Sequence, residues 1–352
     1  AEIQEDGSFF ITKHPNTGGM VSKGTVTAQL WYEISSPAYI NPDVVAHFDT
    51  LKIVDVEKDK VFVSGCRGSS PPKEHKVCIN LSGGFRNGME IMLTGLDIEV
   101  KANVFIITLF NSVGGKEQFD EVSIQLHRTD KHDANTNEEA MASLVISVKS
   151  KDPNLVGRLF SAKIIELALA NIPGFFAQSG VKTSGPVIVY WPALVKSKYI
   201  KEIVHVDGKD IEVEPTSQLD LEEIYYQKEP VKLEKIEIKG ERELYFGELF
   251  GTRSGDKGGC ANLGVWAKNS RAFAFLYDFL TVDKLKDLLP DLQEFKIERF
   301  ELANINSLNF YIHDILQDGV SSNNKKDGQA KSLGEYLRSK KIKVPESIIG
   351  DL

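Results

Sequence analysis

Met89–Gly115 reads MEIMLTGLDIEVKANVFIITLFNSVGG, and a change of period inside it sets the fold class. Met89 to Leu93 is an apolar run of strand length. After Thr94-Gly95, Ile98, Lys101, Ala102, Phe105, Ile106 and Leu109 recur mostly three or four residues apart, the spacing of one helix face. Asn111 and Gly114-Gly115 end that helix. Downstream, Val122, Ile124 and Leu126 alternate as in a half-buried strand. Leu144, Ile146 and Val148 alternate again beyond the polar loop Thr129–Glu139. Asp152-Pro153 then supplies a cap and a proline at the first helical position. An apolar helix follows, carrying Leu155, Val156, Leu159, Phe160, Ile164, Leu167 and Leu169 as far as Pro173-Gly174, and Val187–Trp191 is a buried type of strand. The order β-α-β-β-α-β is the split-βαβ, ferredoxin-like arrangement.

Upstream, Val77-Cys78-Ile79 reads as a further strand, separated from Met89 by the turn-rich Gly83–Gly88. Ile53–Val56, the turn Glu57–Lys60 and Val61–Val63 form a hairpin, and Phe9–Thr12 is a short strand. A second hairpin is expected around Asp207-Gly208. Beyond Glu243 the pattern repeats. There is a strand around Val265 and Ala267, a helix over Arg271–Leu280, and a helix capped by Thr281 and ending at Pro290. Strands follow with Phe295, Ile297 and Phe300 and with Leu308, Phe310 and Ile312, then a last amphipathic helix with Ala330, Leu333 and Leu337. The expectation is an α+β protein of two ferredoxin-like (split βαβ) domains, with helices packed on antiparallel or mixed sheets. Residues 1–213 would form the first, 214–242 a linker and 243–352 the second. The charge run Lys232–Lys239 reads as a solvated strand face and Ser321–Gly328 as a polar surface loop or flexible tip.

Bulk properties narrow the function. The 352 residues suit about two domains, and 41% hydrophobic with 26% charged residues is ordinary globular composition. A net charge of −8 argues against nonspecific nucleic-acid binding, which needs a basic face. Cys66, Cys78 and Cys260 are too few and scattered for a disulfide framework or a CxxC metal site, which favours a reducing compartment. No apolar run approaches the ~18–20 residues that span a bilayer. AEIQEDGSFF has neither the basic nor the apolar region of a signal peptide. An intracellular home is expected, cytoplasmic or the mitochondrial matrix.

The densest polar stretch is Leu249–Lys268, LFGTRSGDKGGCANLGVWAK. Apolar residues enter and leave it. Glycines allow close backbone approach, and consecutive N–H groups in such a turn make a concavity for an anion. Arg253, Ser254, Gly255, Lys257, Gly258, Gly259 and Asn262 are therefore candidate anion-binding residues, with Asp256 a candidate catalytic group orienting a polar substrate. The alternative is a long hairpin turn with solvated charges; neither GxxxxGK[ST] nor GxGxxG is present. His14 is the second candidate catalytic group, in a Gly-rich turn with Asn16, Thr17, Gly18 and Gly19, where an imidazole serves near neutral pH. The alternative there is a turn histidine bonded to Asn16 or Thr17. Cys260 is either a nucleophile beside Arg253 and Lys257 or a packed thiol. HRTDKHD (His127–Asp133) is a metal motif or a polar loop, and no metal is expected. Asp97 reads as a helix cap, and Trp31, Tyr32, Tyr190 and Trp191 as core or interface aromatics.

HPNTGGMVSKGTVTAQLWYEI, INPDVVAHFDTLKIVDV, LTGLDIEVKA, VGRLFSAKIIELALANIPGFF and YWPALV resemble the acyclic terpene utilisation AtuA family. GTRSGDKGGCANLGVWA, FLTVDKL, LNFYIHDIL and QAKSLGEYLR resemble its following ferredoxin-fold domain. By this resemblance the chain starts partway through the family's larger domain, whose N-terminal half would either have been removed or be a separate partner chain. The resemblance implies an enzyme, or part of one, in the catabolism of acyclic terpenoid or branched acyl compounds. A CoA thioester would be a substrate, and no cofactor is implied. The alternatives are a non-enzymatic assembly or ligand-binding subunit and a processed fragment without activity of its own. A small anionic substrate and a second copy of the chain are the expected partners, without nucleic acid or membrane.

Overall fold

In the computed structural model, which describes residues 1–170, 172–214, 217–220, 231–236 and 240–349, strand β1 (Phe9–Thr12) leads into helix α1 (Lys23–Leu30). The hairpin β2 (Lys52–Glu57) and β3 (Lys60–Ser64) follows, and β3 pairs with both β1 and β2. Its turn sits where the sequence places it, with Asp59 at φ +57. Nothing in the small residues of 21–30 announces α1. It starts at Ser22 through a reciprocal cap: Thr25 N–H donates to Ser22 Oγ (3.3 Å) and Ser22 N–H to Thr25 Oγ1 (2.9 Å). Asp55 and Asp59 accept the N–H groups of Lys23 and Val21 (2.6 and 2.9 Å), tying the entry of α1 to the hairpin.

Residues 80–189 form one compact unit; 1–79 and 190–352 form the other. In chain order the unit of residues 80–189 is inserted within the other and is called the inner one. The inner unit comprises most of β4 (Glu74–Thr94), then α2 (Ile98–Ser112), β5 (Glu121–His127), β6 (Met141–Ser150), α3 (Arg158–Leu167), β7 (Phe175–Ala177) and the start of β8 (Gly185–Lys196). Its sheet runs β7-β4-β6-β5, with β8 also on β4. Taken as βαββαβ, that is the order 4-1-3-2 of the split-βαβ fold. The β4–β6 ladder extends from Thr94↔Met141 to Phe85↔Ser150. Met89, Ile91, Leu93, Leu144, Ile146 and Val148 meet Phe105, Leu109, Phe160 and Ile164 from the helices. Burying each such side chain stabilises by about 1.5–3 kcal/mol.

The expected turn at Gly83–Gly88 is absent. The segment lies inside β4, a 21-residue strand. Its glycines serve close approach instead. A Cβ on Gly84, at φ +87, would stand 2.7 Å from the Ser150 carbonyl, and one on Gly83 2.8 Å from Val189 Cγ2. Asn87, buried between them and Gly88, donates through Nδ2 to the carbonyls of Gly157 and Lys182 (3.3 and 3.1 Å). Gly84→Ala should therefore cost about 1–3 kcal/mol, the range for overpacking, read as a lowered midpoint in urea unfolding. An unchanged midpoint would show that the ladder has slack there. Asp97 stands before α2 but takes φ +58 and makes no side-chain cap, so the expected capping role is corrected. Asp152 does cap, accepting from Asn154 N–H at 2.9 Å with Pro153 behind it. The helix breaks at Gly157, and α3 ends at Leu167, short of Pro173.

In the other unit, β9 (Glu202–Val206) and β10 (Lys209–Val213) form the hairpin expected at Asp207-Gly208, whose φ values are +51 and +72. Then come β11 (Phe250–Lys257), β12 (Cys260–Ala267), α4 (Ser270–Phe279), α5 (Val282–Leu288), β13 (Ile297–Leu302), β14 (Ser307–Ile312) and α6 (Leu333–Arg338). Asn269 and Thr281 cap α4 and α5. The sheet order is β11-β12-β14-β13. The outer place beside β12 is filled by β11, from the preceding hairpin. The strand after α6, Lys341–Pro345, pairs instead with Glu241–Tyr245. Most of the proposed linker lies outside the described residues. Of the charge run, Lys232–Ile236 is not a strand, and Leu233 and Ile236 pack on the C-terminal core. Ser321–Gly328 is no solvated tip, because Ser322 and Asn323 are buried and Asn323 Nδ2 donates to the carbonyls of Gly319 and Gly328 (2.9 and 3.1 Å). Among the described residues no helix is long and apolar enough to cross a membrane.

Candidate functional site

Residues 253–262 form a tight hairpin, not an open glycine loop. Gly255 faces Asn262 and Lys257 faces Cys260, with Gly258-Gly259 as the turn. Their amides are spread along an extended ladder and do not converge as a nest requires. The glycines make room for packing. A Cβ on Gly255 would lie 2.9 Å from Glu33 Cγ, on Gly259 2.2 Å from the Gln317 carbonyl, and on Gly264 2.4 Å from Trp31 Cγ. Gly258, at φ +65, turns the chain beneath Tyr190. Ser254 Oγ is buried and accepts from Gly334 N–H at 2.9 Å. Asn262 Nδ2 donates to the Trp31 carbonyl (2.8 Å) and to Asn309 Oδ1 (3.2 Å), while Asn309 Nδ2 donates to the Ser35 carbonyl (2.6 Å). This face of the C-terminal sheet is thus a seat for residues 31–35, and the backbone-nest expectation is corrected.

The charged side chains of the hairpin remain. On β11, Arg253, Gly255 and Lys257 share one face by alternation. The Arg253 guanidinium lies 4.8 Å from the centre of the Tyr32 ring, and Lys257 Nζ 5.4 Å from that of Tyr39. Lys331 Nζ lies 4.0 Å from the centre of the Tyr32 ring, donates to Tyr32 Oη at 2.8 Å and pairs with Glu33 Oε1 at 2.5 Å. Asp256 Oδ1 is 3.5 Å from Lys331 Nζ, buried and without a hydrogen bond. Arg253 and Lys257 form no ion pair among the described residues.

The electrostatics follow from that geometry. Burial opposes ionisation of Glu33, but hydrogen bonds from Lys331 and Tyr32 outweigh it and hold its carboxyl below the ordinary range. Burial likewise works against the Lys331 ammonium, and Glu33 with Tyr32 overcomes it, raising the lysine. Lys257 goes the other way. Burial, then repulsion by Lys76, lowers its ammonium despite the pull of Glu33 and Asp256. Lys331 is therefore a neutralised cation, while Arg253 and Lys257 lie over aromatic rings without a direct ion pair among the described residues. Glu33 at φ +61 and Ala330 at φ +52 hold left-handed backbone conformations beside this cluster, the strain that functional sites concentrate. Tyr32, Glu33, Tyr39, Lys76 and Lys331 were not among the sequence candidates for a site. Tyr32, Glu33, Tyr39 and Lys76 lie far upstream of the hairpin and Lys331 well downstream of it, and no local pattern joins them.

The other candidates fall elsewhere. His14 is exposed, and its carbonyl accepts from Thr17 Oγ1 at 2.7 Å. With Asn16, Thr17 and Gly19 it lines a polar cleft of about 590 Å³ closed by Glu57–Lys60, to which no residue of 253–262 contributes. Gly18 is exposed in the same turn. The two expected groups thus do not share one cleft. Cys260 lies beside Tyr311, whose hydroxyl is pushed up by burial and then by the thiol. In the HRTDKHD stretch, Arg128 engages Asp130 through two bonds (2.7 and 2.8 Å) and Glu99 through another (2.6 Å). Among the described residues no three His, Cys, Asp or Glu side chains are grouped as they would be around a metal ion. An apolar cavity of about 310 Å³ opens between β1, β3 and α1, lined by Phe9, Ile11, Val21, Val26, Leu30 and Val63 with Thr25 and Gln29.

Comparison with known families matches residues 1–206 to the acyclic terpene utilisation family protein AtuA and residues 246–343 to the AtuA ferredoxin-like domain. No curated protein and no solved structure matches the chain.

Proposed function

Because the chain belongs to the acyclic terpene utilisation AtuA family, a membership that implies a role in acyclic terpene utilisation, we propose that it binds a branched acyl compound by its anionic end at Arg253 and Lys257. The carrying observation is that these two cations, on one face of β11, lie over the rings of Tyr32 and Tyr39 and form no ion pair among the described residues, Glu33 and Asp256 acting on Lys257 only at longer range. A carboxylate, or the phosphates of a CoA thioester, supplies a direct ion pair. Asp256, whose buried Oδ1 has no hydrogen bond, is the group left to accept or orient a proton of the ligand.

The non-enzymatic reading, a ligand-binding subunit, is favoured by one observation: His14 lines a cleft apart from the Arg253 hairpin, so no acid–base pair of His14 and Asp256 is assembled. Titration calorimetry with a branched medium-chain carboxylic acid, its CoA thioester, CoA itself and the corresponding primary alcohol tests the binding. The anions are expected to bind and the alcohol to give no heat. Equal binding of alcohol and acid, or silence from all four, would remove the charged site. Turnover of the thioester by the parent but not by Asp256→Asn decides between enzyme and binding subunit.

A further inference from the structure

Among the described residues the hairpin β9–β10 is a two-stranded ribbon paired with no other strand, and all but one of its ten strand residues are exposed. A two-stranded ribbon is marginal in water unless something covers it. Its two faces differ sharply. The register Glu202↔Val213, Ile203↔Glu212, Val204↔Ile211, His205↔Asp210 and Val206↔Lys209 puts directly opposed side chains on a common face. One face carries Ile203, His205, Asp210 and Glu212, and its polar groups have partners. His205 pairs with Asp210, and Glu212 with Lys201 at 3.3 Å.

The other face carries Val204, Val206, Ile211 and Val213 in the middle. They are 47, 51, 50 and 40% exposed. Glu202 stands at the open end of this apolar strip and Lys209 at the turn end. Neither forms an ion pair among the described residues. The strip is thus apolar at its centre, with one unmatched charge of each sign at its two ends.

We propose that this face is a self-association surface, on which the same hairpin of a second copy of the chain packs antiparallel. A two-fold axis lying between the faces reverses the strand direction. It covers the four apolar side chains of each ribbon and brings Glu202 of one protomer to the end of the strip that holds Lys209 of the other, twice over. This is the isologous logic of two-fold contacts, in which one patch complements itself. A second copy is therefore the occupant that the charge pattern fits. An unrelated partner would need an acid and a base at matching ends. With the axis turned so that like ends meet, both glutamates would gather at one end of the strip and both lysines at the other.

Sedimentation velocity of the full chain over a wide concentration range tests this. The parent is expected to show a monomer–dimer equilibrium. Val204→Glu and Ile211→Glu should each weaken it roughly tenfold or more, as for residues at the centre of an interface. Circular dichroism should be unchanged, because these side chains face water in the monomer. The charges give an independent reading that leaves the apolar strip intact. Glu202→Lys and Lys209→Glu should each weaken the dimer, and the two together should restore it. Three results would each overturn the proposal: a parent that stays monomeric throughout, a dimer indifferent to Val204→Glu and Ile211→Glu, or a double charge exchange no better than the single ones.

Discussion

Trp31→Ala is expected to destabilise the outer unit by about 3–5 kcal/mol, the range for deleting a buried tryptophan. Trp31 is fully buried and presses on the C-terminal sheet at Gly264, where a Cβ would sit 2.4 Å from its Cγ. Its carbonyl also accepts the Asn262 amide. The same joint is reached from the other side by Gly264→Ala, which overpacks it and should cost about 1–3 kcal/mol. The two substitutions act on one volume, so the double variant should cost less than their sum, because the new methyl enters space the indole has left. Scanning calorimetry checks this, since the two compact units need not melt together. Additive costs would mean that Trp31 and Gly264 are energetically independent and that residues 31–35 are not seated on the sheet as described.

That joint also marks the limit of what was legible in the sequence. The period-2 runs Val122–Leu126 and Leu144–Val148 became β5 and β6, and the helical spacing after Gly95 became α2, because each reports burial within one element. The Asp207-Gly208 and Glu57–Lys60 turns were legible for the same local reason. Glycine was ambiguous. At 83, 84 and 88 it signalled a turn and served a close strand approach, and at 255 and 264 it signalled an anion loop and made room for Glu33 and Trp31. One residue type relieves two kinds of crowding, and composition does not say which. The site shows the same division. Arg253, Asp256 and Lys257 were found because charge clusters on the hairpin, whereas Tyr32, Glu33 and Lys331 join them only through the tertiary fold.

Arg253→Ala and Lys257→Ala should each weaken binding of the branched acyl anion by about 1.5–3 kcal/mol, the value of hydrogen bonds to charged groups, or roughly 10- to 100-fold in Kd. The pH dependence separates the two. Burial, then Lys76, lowers the Lys257 ammonium below an ordinary lysine, so anion binding should be strongest where Lys257 is protonated. It should decline as pH rises through that lowered value, before a lysine at about 10.4 would lose its proton. In the free protein the sign is opposite. Between the lowered folded value and the unfolded one the unfolded chain binds more protons, so this residue's contribution to stability rises with pH across that window. Lys257→Arg keeps the charge at all these pH values and should abolish the decline, whereas Arg253→Ala should weaken binding and leave the decline in place. Lys76→Ala removes the repulsion and should move the decline to higher pH. If the parent and Lys257→Arg lose affinity in parallel as pH rises, the titrating group is not Lys257, and its assignment as the pH-sensitive anion ligand fails.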